Sequence, residues 1–162
     1  MRLSSQLLET RYSLDDLTAA DLMTANPLSI REDANLAEAI RFMTDHALSG
    51  AVVINTAGRP VGVITNADIL VHQRERLHGR EMPLIPMSEW TTESWLQEDA
   101  FVGPPFVSEV MTPIVFTVRN DDSARKVVEQ MVSLNIHRLF VVDEAGVVVG
   151  VISALDVLRR LV

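Results

Sequence analysis

The sequence predicts an α/β (α+β) fold of two pseudo-twofold-related β-α-β-β-α repeats packed through their small sheets. Three observations carry this expectation. The chain matches itself when slid by 88 residues, each copy alternates short apolar runs with a stretch of helical period, and each closes on the same strand-to-helix turn, GVITNAD at 62–68 and GVISALD at 150–156. The register needs no gap from Met23 to Leu70, and fourteen of those 48 positions are identical, among them Arg31/Arg119, Asp33/Asp121 and Asp68/Asp156.

Each copy opens with a short run that suits a strand, LSI at 28–30 and VFTV at 115–118. A helix follows, since Leu36, Ala39, Ile40 and Met43 recur at i, i+3, i+4, i+7, and Ala124, Val127, Val128 and Met131 repeat the pattern. Two strands come next, AVVI (51–54) and VGVIT (61–65) in one copy, LFVV (139–142) and VVVGVIS (147–153) in the other. The linkers NTAGRP and DEAG place Gly58 and Gly146 where a hairpin loop needs a positive φ. A closing helix starts after Thr65 or Ser153. A single copy is too small to cover the apolar face of its own sheet, which is why two are expected to pack together.

Composition narrows the function. The chain has 162 residues, 48% of them hydrophobic and 22% charged, as ordinary soluble domains do. No apolar run reaches the roughly 18 residues of a membrane helix, and MRLSSQLLETRY lacks the apolar core of a signal peptide, so a cytoplasmic location without membrane contact is expected. The absence of cysteine excludes disulfides, thiolate metal sites and cysteine nucleophiles. A net charge of −8 with one lysine, Lys126, argues against nucleic acid as a partner. His46, His72 and His78 lack metal-ligand spacing, and no nucleophile–base set or complete phosphate loop is present, so neither a resident cofactor nor catalysis is expected.

The repeated turn has two readings. Thr65-Asn66-Ala67-Asp68 and Ser153-Ala154-Leu155-Asp156 fit a capping box with Asp in place of Glu, which stabilises a helix by roughly 1 kcal/mol with no ligand involved. The same helix N-terminus offers backbone N–H groups and a hydroxyl to a phosphate, and a carboxylate suited to ribose hydroxyls. The copies differ beside it, where His137-Arg138 aligns with Ser49-Gly50. An arginine grips phosphate with a bidentate fork, whereas Ser-Gly offers close backbone approach, so two unequal sites are expected. Arg31 and Arg119 either reach a polyphosphate or brace the turn before the helix.

The repeated unit resembles a CBS domain, and the pair resembles a Bateman module. The features that carry the likeness are DLMT and EVMT, the helix with Ala39-Ile40 and Met43, the strands GAVVI and RLFVVD, and the closing G-V-I-[TS]-x-x-D, over residues 18–80 and 107–162. The resemblance implies a regulatory module that binds adenosine-containing ligands in clefts between the repeats, commonly as a dimer of modules. It implies ribose contacts for Asp68 and Asp156, phosphate nearby for Thr65 and Ser153, and phosphate contacts for His137 and Arg138. Around 28–30, 51–53, 115–117 and 139–141 it implies a base pocket that includes Ser29, Ala51, Thr117 and Leu139, with Ser49 and Gly50 beside it. The expected ligand is AMP, ADP or ATP. The alternatives are S-adenosylmethionine or NAD, or a ligand-free dimerisation module. A homodimer and an unidentified regulated protein are the expected partners.

Residues 1–17 and 81–106 fall outside the repeats. The second segment, with four of the seven prolines and both tryptophans, Trp90 and Trp95, either wraps its own module, covers a cleft or docks on another subunit.

Overall fold

The computed structural model describes residues 14, 16–78 and 105–161. The 1–17 segment apart from Leu14, Asp16 and Leu17, and the 81–106 insert apart from Pro105 and Phe106, lie outside the described residues, and with them the roles considered for Trp90 and Trp95. In chain order the elements are α1 (Ala19–Leu22), β1 (Thr24–Ala25), β2 (Ser29–Arg31), α2 (Leu36–Asp45), β3 (Gly50–Ile54), β4 (Pro60–Thr65) and α3 (Asn66–His78). They continue with α4 (Val107–Val110), β5 (Thr117–Arg119), α5 (Ala124–Ser133), β6 (Arg138–Val142), β7 (Val148–Ser153) and α6 (Ala154–Leu161).

These elements form two compact units, each with its own core. Among the described residues the first-sheet unit holds 29–55, 61–78 and 105–114, and the second-sheet unit holds the positions up to 28, 56–60 and 115–161. The first sheet runs β2-β3-β4, with β2 parallel to β3 in the register Ser29↔Val52 to Arg31↔Ile54. Ile30, Leu36, Ala39, Met43, Val53, Ile64 and Val107 are buried together beneath it. The second sheet runs β1-β7-β6-β5, with β5 parallel to β6 and β7 antiparallel to both β6 and β1. Its core gathers Ala19, Leu22, Val118, Ala124, Val127, Leu139, Val141 and Ile152. The helical period places these residues correctly, with Ile40 and Val128 packed at the margin of each core rather than inside it.

The leading segments are exchanged. Thr18–Ala25 opens the first repeat but belongs to the second-sheet unit, and Val107–Thr112 opens the second repeat but belongs to the first-sheet unit. The bonds match at the 88-residue offset. Ala19 N–H donates to Asp122 O at 2.8 Å and Val107 N–H to Ala34 O at 2.9 Å, while Ala124 N–H donates to Leu17 O and Leu36 N–H to Pro105 O, both at 2.8 Å. Likewise Thr24 pairs with Val151 in β7, and Thr112 bridges to Val63 in β4.

This placement explains the coupling of MT to GVI in each repeat. A Cβ at Gly62 would stand 2.5 Å from Met111 Sδ and 2.8 Å from Thr112 O, and one at Gly150 would overlap Met23 Sδ. The leading methionine of one repeat therefore needs the glycine of the other. At the hairpins, Gly58 and Gly146 have φ of 74° and 79°, as their sequence positions predict.

Both short leading strands begin later than the apolar runs suggest, at Ser29 and Thr117. Their limits are set by the parallel partner, since Thr117 is the first residue of β5 to find its place opposite β6, at Phe140.

Candidate functional site

Each turn is built entirely within one unit, where the last strand runs directly into the closing helix. In the first-sheet unit Thr65 ends β4 and caps α3. Asp68 Oδ2 accepts from Thr65 N–H at 2.8 Å and from the Thr65 hydroxyl at 2.6 Å, and Asp68 N–H donates back to Thr65 Oγ1 at 3.3 Å. The other carboxylate oxygen, Oδ1, accepts from the Thr112 hydroxyl at 3.0 Å. The second-sheet unit repeats the box, with Asp156 Oδ2 accepting from Ser153 N–H at 2.8 Å and from its hydroxyl at 2.5 Å. Here Oδ1 faces Arg159 Nη1 at 3.5 Å, an exposed contact of small energetic weight. The capping-box geometry of the sequence is thus present in both copies.

The two bonds to the carboxylate occur a third time. Thr18 N–H and hydroxyl both donate to Asp21 Oδ2, at 2.8 and 2.7 Å, at the start of the four-residue α1. A hydroxyl–acid turn is therefore a general capping device in this chain, and what distinguishes the two closing turns is what surrounds them.

The surroundings begin with a shared backbone feature. Ser49 O accepts from Asn66 N–H at 3.1 Å, and His137 O accepts from Ala154 N–H at 3.0 Å, so the residues just before β3 and β6 clamp the first helical N–H. Beyond that the copies part. Arg138 stands opposite Ser153 in the antiparallel ladder, which puts both side chains on one face of the sheet within about 5.5 Å at Cβ. Arg138 is exposed, and among the described residues no carboxylate pairs with it. His137 beside it is exposed as well. In the other copy Gly50 takes the place of the arginine, and a Cβ there would meet the Thr65 methyl at 3.1 Å.

The remaining predicted residues are split. Ser29 is half-buried in β2 and Thr117 exposed in β5, each at the strand edge on the side of its turn. Ala51 and Leu139 are core residues, so only their backbone faces outward. Arg31 braces its turn, because Asp33 grips it twice, at 2.8 and 2.7 Å, and Arg119 holds Asp121 more loosely at 3.5 Å. Sequence reasoning missed Thr112, whose approach to Asp68 depends on the exchange of leading segments.

A depression of about 550 Å³ lies between the end of α2 and the start of α3, lined mainly by Ile40, Met43, Leu48, Ile69 and Leu70. His46 Nδ1 lies 2.8 Å from Phe42 O, while the His72 Nε2 is buried without a partner among the described residues. Among the described residues no three His, Cys, Asp or Glu come together as a metal site, and no helix is long and apolar enough to cross a membrane.

Two strand-helix-strand-strand-helix repeats with matched caps and exchanged leading segments define a duplicated α/β module. The CBS domain family model matches residues 19–75 and 107–162, and the chain belongs to the CBS-domain family as a tandem pair. It is 29% identical over 145 residues to the uncharacterised protein MJ1426 of Methanocaldococcus jannaschii, covering 84% of this chain and 86% of that one. Another relative from that organism, MJ1404, is longer, and the chain spans 26% of it. Among solved structures, CBSX2 in complex with AMP superposes with a TM-score of 0.64 at 21% identity, over 88% of this chain and 94% of that one. The cytosolic domain of the Mg2+ channel MgtE in complex with ATP gives a TM-score of 0.64 at 27% identity, over 93% of this chain and 50% of that one.

Proposed function

We propose that this CBS pair is a non-catalytic sensor of an adenosine nucleotide, AMP, ADP or ATP, working as a homodimer and passing the ligand's presence to a regulated protein. The observation that carries the reading is Arg138, exposed and without an acid partner among the described residues, on the same face of the ladder as Ser153 and next to the Ser153–Asp156 cap. Such an arrangement supplies a guanidinium fork for phosphate and, on Asp156, a carboxylate oxygen outside the cap for ribose. Structural neighbours whose own structures hold AMP or ATP support the adenosine class. S-adenosylmethionine and NAD carry the same adenosine and belong in the same test.

A second reading has its own observation. The Thr18–Asp21 turn makes the same two bonds to its carboxylate as the closing turns make to theirs, so a hydroxyl–acid turn is complete as a cap without a ligand, and the chain is then a ligand-free assembly module. A thermal-shift panel decides between them. With AMP, ADP, ATP, S-adenosylmethionine and NAD at millimolar concentration, a ligand at 100 times its Kd adds about 2.7 kcal/mol and raises Tm. Asp156→Asn abolishes the rise if the nucleotide reading holds, and a panel with no shift leaves the assembly reading.

A further inference from the structure

We propose that two copies of this chain pair head to tail, the α2–α3 face of the first-sheet unit in one copy seating the α5–α6 face of the second-sheet unit in the other, with Arg41 against Glu129 setting the choice. The inference rests on the homodimer in the reading above. It adds which faces meet and which residues decide it.

The two faces hold the same place in the two repeats, since Thr44, Ala67 and Leu70 correspond at the 88-residue offset to Val132, Leu155 and Leu158. They are not alike. The first is a depression of about 550 Å³ with Thr44 and Leu70 in its lining, and the Thr44 hydroxyl is already spent on Ile40 O at 2.8 Å, so it asks no polar contact of a partner. The second carries added apolar surface, with Leu155 in place of Ala67 and Val132 in place of Thr44, 54% and 76% exposed. An apolar hollow on one face and exposed apolar side chains on the other suit each other.

Charge separates this pairing from one of like faces. One helical turn before Thr44 stands Arg41, and at the corresponding position, one turn before Val132, stands Glu129. Both are exposed, and neither side chain has an ion-pair or hydrogen-bond partner among the described residues. The neighbouring positions differ in charge as well, because the exposed Asp45 of the first face corresponds to Ser133, and Arg159 of the second corresponds to Val71. Like faces meeting bring like charges to the seam, whereas unlike faces bring opposite ones. The pairing is reciprocal, so a twofold axis makes the Arg41–Glu129 contact twice. Apolar surface then supplies the affinity, and the charges at its edge supply the specificity.

Light scattering of the full chain at micromolar concentration, with charge-reversed variants, tests this. The wild type has the mass of two chains, and Arg41→Glu and Glu129→Arg each weaken the dimer at least about tenfold, since each sets like charges against one another twice. An equimolar mixture of the two variants restores the dimer, because every contact in the mixed pair is again between opposite charges, and the double variant Arg41→Glu/Glu129→Arg does so alone. Circular dichroism confirms that each variant is folded. A dimer that survives both single reversals, single variants that stay monomeric when mixed, or a mass that climbs beyond two chains overturns the inference. A monomeric wild type overturns it together with the homodimer, while nucleotide binding is read separately by thermal shift.

Discussion

Gly62 and Met111 share a space that one added methyl group would overfill. A Cβ on Gly62 would lie 2.5 Å from the methionine sulfur, which can swing aside, and 2.8 Å from the Thr112 carbonyl oxygen, which is held by its ladder bonds to Val63 and cannot. Gly62→Ala is therefore expected to destabilise the protein by about 1–3 kcal/mol. Urea unfolding measures it, and a variant within about 0.5 kcal/mol of wild type would show that the leading segment yields easily.

Ala47 is held at φ 52°, in the left-handed region, at the end of α2, and its counterpart at the end of α5, Asn135, has the same φ of 52°. Alanine strains there and asparagine does not. Ala47→Asn should raise stability by about 0.5–1 kcal/mol and Asn135→Ala lower it by a similar amount. Opposite shifts in Tm are the signature, and a destabilised Ala47→Asn would contradict the strain.

Acid should weaken the fold through its surface carboxylates. Burial pulls the Asp122 carboxyl upward, but the Lys126 ammonium at 2.6 Å and the Arg119 N–H at 2.8 Å outweigh it and hold the group below its usual range. Thr18 does the same for Asp21, and Arg31 for Asp33. A carboxylate depressed in the folded state contributes stability that is complete above the unfolded value of 3.8 and lost as pH falls through the folded one. Tm should fall as pH drops below about 4, less steeply in Asp122→Asn. Parallel pH curves for the two proteins would remove Asp122 from the account.

Val132, Leu155 and Leu158 are 76%, 54% and 55% exposed on α5 and α6, apolar side chains that a partner surface would cover. If the proposed homodimer uses these helices, Val132→Asp halves the mass seen by light scattering and leaves the circular dichroism spectrum unchanged. A wild-type chain that is monomeric at micromolar concentration would refute the dimer.

Much of the fold is legible in the chain because its signals are local. The spacing of Leu36, Ala39 and Met43 marks a buried helix face, and Gly58 and Gly146 mark hairpins, since period and positive φ are properties of a few neighbouring residues. The exchange of leading segments is not local. Nothing in DLMT or EVMT states which sheet the segment will join, and the choice emerges only when Met23 meets Gly150 and Met111 meets Gly62. The site divides the same way. Hydroxyl and acid three residues apart are readable as a cap, whereas the Thr112–Asp68 bond is a product of the exchange, and that no acid among the described residues pairs with Arg138 depends on where the fold places them.

The exchanged arms also bear on the doubling of the repeat. A chain of one repeat would lack Leu22 or Val107 in its core and the last partner of its sheet, and a second copy supplies both by trading arms. With one repeat per chain the same exchange would have to run between two subunits, and two repeats in one chain place it within a single molecule. Two repeats in one chain are also free to differ in sequence, as Arg138 at the position that aligns with Gly50 does.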